Sequence, residues 1–241
     1  MFSLSQRTKI VFAILTGTVV GACGSLACHG GSVTGWAGVV AEHVVADETE
    51  ELLAEPEYFE GVNETRTVTV GGVERKYIIH VPGGVLRKDE VTPVVFAAHY
   101  YRGSAEKMQK LTGFDDVEAV VVYLQGVNNS WAPAPYASMS SEEDLAYFDA
   151  VRGEVAREFV VSRDKTFVVG FSNGGGFAMH VRCKRPNVVG GVATVAAAFY
   201  GAVVEGCAAL PVKQIDVHGA KDRLLEYGGG VRYGHSYLGV D

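Results

Sequence analysis

The sequence predicts an α/β fold, a mostly parallel twisted sheet flanked by helices, and three observations carry that expectation. Short apolar runs rich in β-branched residues alternate with stretches of helical spacing. The first two runs, residues 66–70 and 76–81, meet at Gly71-Gly72 and read as an antiparallel hairpin opening the sheet. A chain of 241 residues, 48% hydrophobic and 20% charged, is long enough to bury one substantial core.

After the hairpin, strands are expected at residues 93–98, 119–124, 166–170, 191–195 and 212–217. The clearest helix spans 142–159. Leu145, Phe148, Val151, Val155 and Phe159 share one of its faces, and Ser140 or Ser141 stands at its N-cap. Another helix follows "GFSNGGG", with Phe177, Val181 and Lys184 at helical spacing until Pro186 stops it. In such a sheet the reactive groups gather at the C-terminal ends of the strands.

Gly170-x-Ser172-x-Gly174 lies where the strand at 166–170 must turn at once into that helix. Such a turn forces its central residue into a strained backbone conformation, and neighbours without a Cβ let the turn fit. The pattern is the nucleophile elbow of the α/β-hydrolase fold; the plainer alternative is a Gly-rich turn whose serine caps the helix. A serine hydroxyl is a poor nucleophile near neutral pH, so the elbow needs oxyanion donors, an acid and a base. The donors expected are the backbone N–H groups of Asn173, just after the serine, and Tyr101, in the loop "AHYYRGS". Each can be worth about 3 kcal/mol. Tyr100 beside it and Trp131 in "NNSW" are candidate substrate contacts. Asp222, in the loop behind 212–217 and beyond the elbow in chain order, is the candidate acid ahead of Asp216 and Glu226.

The N-terminus reads as a targeting segment. Arg7 and Lys9 precede an uncharged apolar run over 10–20, of signal-peptide length and short for a bilayer span. "VVGACGS" then resembles a lipoprotein cleavage motif, with Cys23 as the acylated residue; ordinary cleavage near Ala22 or Ala27 is the rival. The expected organisation is a signal peptide over 1–22, an acidic tether over 23–62 and a catalytic-type domain over 63–241. A net charge of −7, with no cluster of Lys and Arg, argues against a nucleic-acid surface. No His, Cys or carboxylate set falls at metal-ligand spacing, no cofactor is expected, and membrane contact is expected only through the N-terminal lipid anchor.

Five ordered blocks, "RKYIIHVP", "FAAHYYRGS", "TGFDDVEAVVVYLQGVNNSW", "GFSNGGGFAMHVRCKRPNVVGGVATVAA" and "IDVHGAKDRLLEYGGG", resemble secreted polyhydroxybutyrate depolymerase-like and feruloyl esterase-like serine hydrolases. The resemblance covers roughly residues 64–240. It implies an α/β-hydrolase fold and hydrolysis of carboxylic esters, small or polymeric, through an acyl-enzyme on Ser172 with Asp222 as acid. Outside the cytosol Cys183 and Cys207 are open to pairing, leaving Cys28 unpaired, and the resemblance implies that pair. Tyr100 stands where the family usually has glycine after His99. The family's base lies in a Gly-His-x-Trp-like segment beyond a further helix and the last strand, so the domain is expected to be incomplete at its C-terminus. His235 is then the remaining candidate base. Three readings follow: an incomplete esterase, an esterase using His235, and a surface binding protein on a hydrolase scaffold.

Overall fold

The computed structural model describes residues 55–207 and 209–239. The expected signal peptide, Cys23 and most of the expected acidic tether lie outside them. The elements are β1 (Val62–Val70), β2 (Val73–Val81), β3 (Val94–Ala98), α1 (Ala105–Thr112), β4 (Val120–Leu124), α2 (Ser141–Glu158), β5 (Thr166–Phe171), α3 (Asn173–Lys184), β6 (Gly191–Val195), β7 (Phe199–Tyr200), α4 (Gly201–Val204), β8 (Lys213–Val217), β9 (Gly229–Arg232) and β10 (His235–Leu238). Seven strands form the main sheet in the order β1-β2-β4-β3-β5-β6-β8. The hairpin pairs antiparallel and β2 joins β4 antiparallel; every pairing from β4 to β8 is parallel.

Alternation along each strand divides the core between two faces. Ile79, Val94, Phe96, Val122 and Val168 point one way, where Leu145, Phe148, Val151 and Val155 of α2 and Phe177 and Val181 of α3 cover them. Val95, Ala97, Val121, Tyr123, Phe167 and Val169 point the other way, against Ala105 and Met108 of α1. Strands β3 and β4 are buried throughout, as parallel strands covered on both faces must be.

The helix starts are set by their caps. The Ser140 hydroxyl accepts from the Glu143 N–H while the Glu143 carboxylate accepts from the Ser140 N–H, closing a capping box. Residues 57–62, placed in the tether by sequence, are not free: the Phe59 N–H donates to Leu86 O at 2.9 Å and Phe59 packs against the core. A second, three-stranded sheet orders β7-β10-β9, all antiparallel. Its strands are two to four residues long, below the length at which alternation announces a strand in sequence.

Candidate active site

Ser172 joins β5 to α3 with φ 55° and ψ −116°, a backbone state of order 1–3 kcal/mol above the ordinary ones. The surroundings over-determine it. A Cβ at Gly170 would overlap the Gly174 carbonyl, and one at Gly174 would overlap the Ala98 carbonyl and lie 2.5 Å from His99 O. One at Gly175 would come to 2.6 Å from Ala197 Cβ, and one at Gly176 to 2.6 Å from Ala198 O. The Ser172 N–H donates to Val195 O at 2.9 Å, and its carbonyl accepts from the N–H groups of Gly176 at 3.2 Å and Ala198 at 3.4 Å. Its hydroxyl makes no capping bond, so the turn holds the serine without using its side chain.

The loop after β3 is fixed from below by His99, which is fully buried. Its Nδ1–H donates to Tyr100 O at 2.8 Å, and its Nε2 accepts from the Gly126 N–H at 3.0 Å. The same segment is tied to the elbow through Trp131. The Trp131 Nε1–H donates to His99 O at 3.0 Å, while the Asn173 side chain accepts from Trp131 N at 2.8 Å and donates to Trp131 O at 2.9 Å. With the Asn173 amide spent on that clamp, the backbone N–H groups of Asn173 and Tyr101 have no hydrogen-bond acceptor among the described residues. Trp131, expected as a substrate platform, is therefore corrected: its ring is fully buried, stacked 4.6 Å from Phe177, and has no face to offer a ligand. Tyr100 is half-buried with its ring edge-on to Phe171, and Tyr101 lies 4.4 Å from the ring of Tyr136.

Burial keeps the His99 imidazole neutral, its pKa pushed down to about 4 against the pull of the Tyr100 carbonyl. An unfolded histidine protonates near pH ~6.5, so below that pH the unfolded chain takes up the proton first and stability falls with pH. The loss from this group is complete once pH has passed the folded value of about 4, and totals about 3 kcal/mol. Urea unfolding across that window is expected to show a flatter pH slope for His99→Gln than for the natural chain; parallel slopes would assign the pH dependence to another group.

Asp222 stands in the loop behind β8. Its Oδ1 accepts from the N–H groups of Leu224 at 2.7 Å and Leu225 at 3.1 Å, an Asx-turn that fixes the carboxylate. Its Oδ2 lies 3.9 Å from Nε2 of buried His218, which itself donates to Leu225 O at 2.7 Å. His235 is a second correction. It sits at the outer end of β10, paired with Arg232 of β9, with its side chain exposed. Among the described residues no histidine hydrogen-bonds to Ser172 or to Asp222. His80 is held by Asp115 O and His180 by Val203 O.

Sequence reasoning missed the polar layer under the site. Arg75 of β2 and Asp144 of α2 form an ion pair at 2.9 Å with both side chains buried, and the guanidinium lies 4.0 Å over the Tyr147 ring. The second Asp144 oxygen accepts from the Ala132 N–H at 2.9 Å, which continues the layer to Trp131 and Asn173. Burial pushes the Asp144 carboxyl up, while Ala132 N–H and Arg75 pull it down and stabilise its charged form. In the sequence Asp144 is one of three acidic residues in the first turn of α2, and nothing local sets it apart. Cys183, at the end of α3, is bonded to Cys207.

No family model matches the sequence. A putative esterase, NocK, from Nocardia uniformis subsp. tsuyamanensis is 28% identical over 171 residues, spanning 68% of this chain and 50% of that protein. A probable feruloyl esterase C from Aspergillus niger is 26% identical over 178 residues, spanning 68% of this chain and 61% of that one. The chain thus spans half to about three fifths of the length of these curated relatives. A solved structure described as native pOPH superposes with a TM-score of 0.55 at 15% identity, over 77% of this chain and 73% of that one. The sheet order, the strand-Ser172-helix turn and these relatives identify the chain as an α/β-hydrolase-fold protein similar in sequence to feruloyl esterases.

Proposed function

We propose that this chain is a carboxylic ester hydrolase that works through an acyl-enzyme on Ser172. The carrying observation is the elbow: a serine held at φ 55° with its hydroxyl uncommitted, beside two unpaired backbone N–H groups. The Ser172 Oγ attacks the ester carbonyl carbon, and the carbonyl oxygen takes up negative charge facing the N–H groups of Asn173 and Tyr101. The alcohol leaves with the proton taken from the serine, and water then releases the acid. Asp222, fixed by its Asx-turn, has one oxygen left that could orient a base, and no described histidine hydrogen-bonds to it. The N-terminal motif supports export and anchoring through Cys23 to the outer face of a membrane, where polyester, feruloylated polysaccharide or envelope acyl esters are candidate substrates.

A surface binding protein on the same scaffold is the second reading, and one observation favours it: no described histidine hydrogen-bonds to Ser172. The two separate by experiment. Purified protein is incubated with p-nitrophenyl acetate and butyrate and with a fluorophosphonate, and the peptide carrying Ser172 is weighed. The esterase reading expects turnover and a phosphonyl adduct on that peptide, both lost in a folded Ser172→Ala variant. Turnover that survives Ser172→Ala would overturn the nucleophile assignment; a folded protein that neither turns over nor labels would favour binding.

A further inference from the structure

Four tyrosines from four segments meet on the side of the oxyanion loop. Tyr101 follows β3, Tyr136 lies in the loop before α2, Tyr200 ends β7, and Tyr233 is at the tip of the β9–β10 hairpin. Ring centroids of Tyr136 lie 4.4 Å from Tyr101, 5.0 Å from Tyr233 and 5.9 Å from Tyr200. The Tyr101 and Tyr233 rings are 6.0 Å apart. The wall reaches the elbow twice: the Tyr101 N–H faces the oxyanion position proposed above, and Tyr200 stands two residues beyond Ala198, whose N–H bonds Ser172 O.

Two guanidiniums rim this wall. Arg102 has its Cζ 5.2 Å from the Tyr101 ring centroid, and Arg232 has its Cζ 5.1 Å from that of Tyr233, both within cation–π range. Neither has a carboxylate partner among the described residues, although the protein carries a net charge of −7. Arg66, Arg75, Arg87, Arg157, Arg163 and Arg185 all have one; Arg152, Arg182 and Arg223 also lack one among the described residues, and what sets Arg102 and Arg232 apart from those three is their place against tyrosine rings. Arg102, at φ 62°, occupies the left-handed region without being glycine, whereas Tyr233 at φ 53° and Gly234 at φ 77° form the two-residue turn of the β9–β10 hairpin. Strain of the kind at Arg102 persists where the surroundings fix a side chain in place.

We propose that this wall is a subsite for a ring bearing a carboxylate. The ring stacks on Tyr101 and Tyr233, and the carboxylate pairs with Arg102 and Arg232, so the ester taken by Ser172 carries an acidic group beside its scissile bond. The assignment rests on the Ser172 esterase reading. It names a chemistry that two sources share, a uronate-type sugar and an aromatic acid. A flat guanidinium over an aromatic face presents its N–H fork outward, the geometry a carboxylate accepts in bidentate fashion.

Binding is measured by calorimetry at low salt on the full chain as Ser172→Ala, so that hydrolysis plays no part. The probes are methyl glucuronoside against methyl glucoside, and monomethyl terephthalate against dimethyl terephthalate. In at least one pair the acidic member is expected to bind about fivefold tighter than the neutral one, and the pair that discriminates identifies the source. Arg102→Gln with Arg232→Gln is expected to abolish that preference while leaving the neutral member's affinity and the circular dichroism unchanged. Equal affinities in both pairs, no detectable binding of any probe, or a preference that survives the double variant would overturn the subsite. Retained preference in a protein that never labels at Ser172 would instead sink the esterase reading alone.

Discussion

Asp144→Ala is expected to destabilise the protein by about 3–5 kcal/mol, because it leaves the Arg75 guanidinium charged and unpaired in the core. Both side chains are at most 2% exposed, so water does not replace the lost partner. Single domains hold about 5–15 kcal/mol in total, so about a fifth or more of the stability is at stake. For a domain of this size that corresponds to a fall in Tm of about 6–20 °C. The damage extends toward the site, since the Ala132 N–H loses its acceptor and the Trp131 segment gripped by Asn173 loses an anchor. Replacing both partners, Arg75→Met with Asp144→Leu, is expected to recover most of the loss, since no buried charge is then left uncompensated. Urea unfolding of both variants beside the natural chain checks this. A loss below about 1 kcal/mol for Asp144→Ala would mean that water or a rotamer change satisfies Arg75.

The difference between what could be read in the sequence and what could not follows from range. Strands β3 to β6 and β8 were legible because each is a run of apolar residues with local punctuation, and the capping box at Ser140 is a signal within four residues. Ser172 was legible for the same reason, since its glycines are its immediate neighbours. The position of Asp222 in the loop behind β8 followed from the strand signal ahead of it. The Arg75–Asp144 pair joins residues 69 apart, and the Asn173–Trp131 clamp joins residues 42 apart. Nothing local marks either. Trp131 was misread because a tryptophan in a polar loop carries no periodicity to reveal the pocket between Phe177, Tyr147 and His99 that swallows it. His235 was left as the remaining candidate base by elimination, and the β9–β10 hairpin turns it outward.

Gly174→Ala is expected to damage both the packing of the elbow and the donor geometry beside it. The added carbon would press on the Ala98 and His99 carbonyls, backbone atoms at the end of β3 that cannot rotate away as a side chain could. Relief requires β3 and α3 to separate, and such overpacking costs about 1–3 kcal/mol or more. Separation also carries the Tyr101 N–H away from that of Asn173, so two donors that must face one oxyanion no longer do. Loss of one such donor is worth about a hundredfold or more in rate. The phosphonylation rate of Ser172 is therefore expected to fall at least that far at a temperature where circular dichroism still shows a folded chain. Gly153→Ala is the matched control: it lies inside α2, and a Cβ there meets nothing within 4 Å. Removing a helical glycine is expected to stabilise by about 0.5–1 kcal/mol and to leave the labelling rate unchanged. Equal labelling by Gly174→Ala and the natural chain would show that the approach of α3 to β3 does not set the donor geometry.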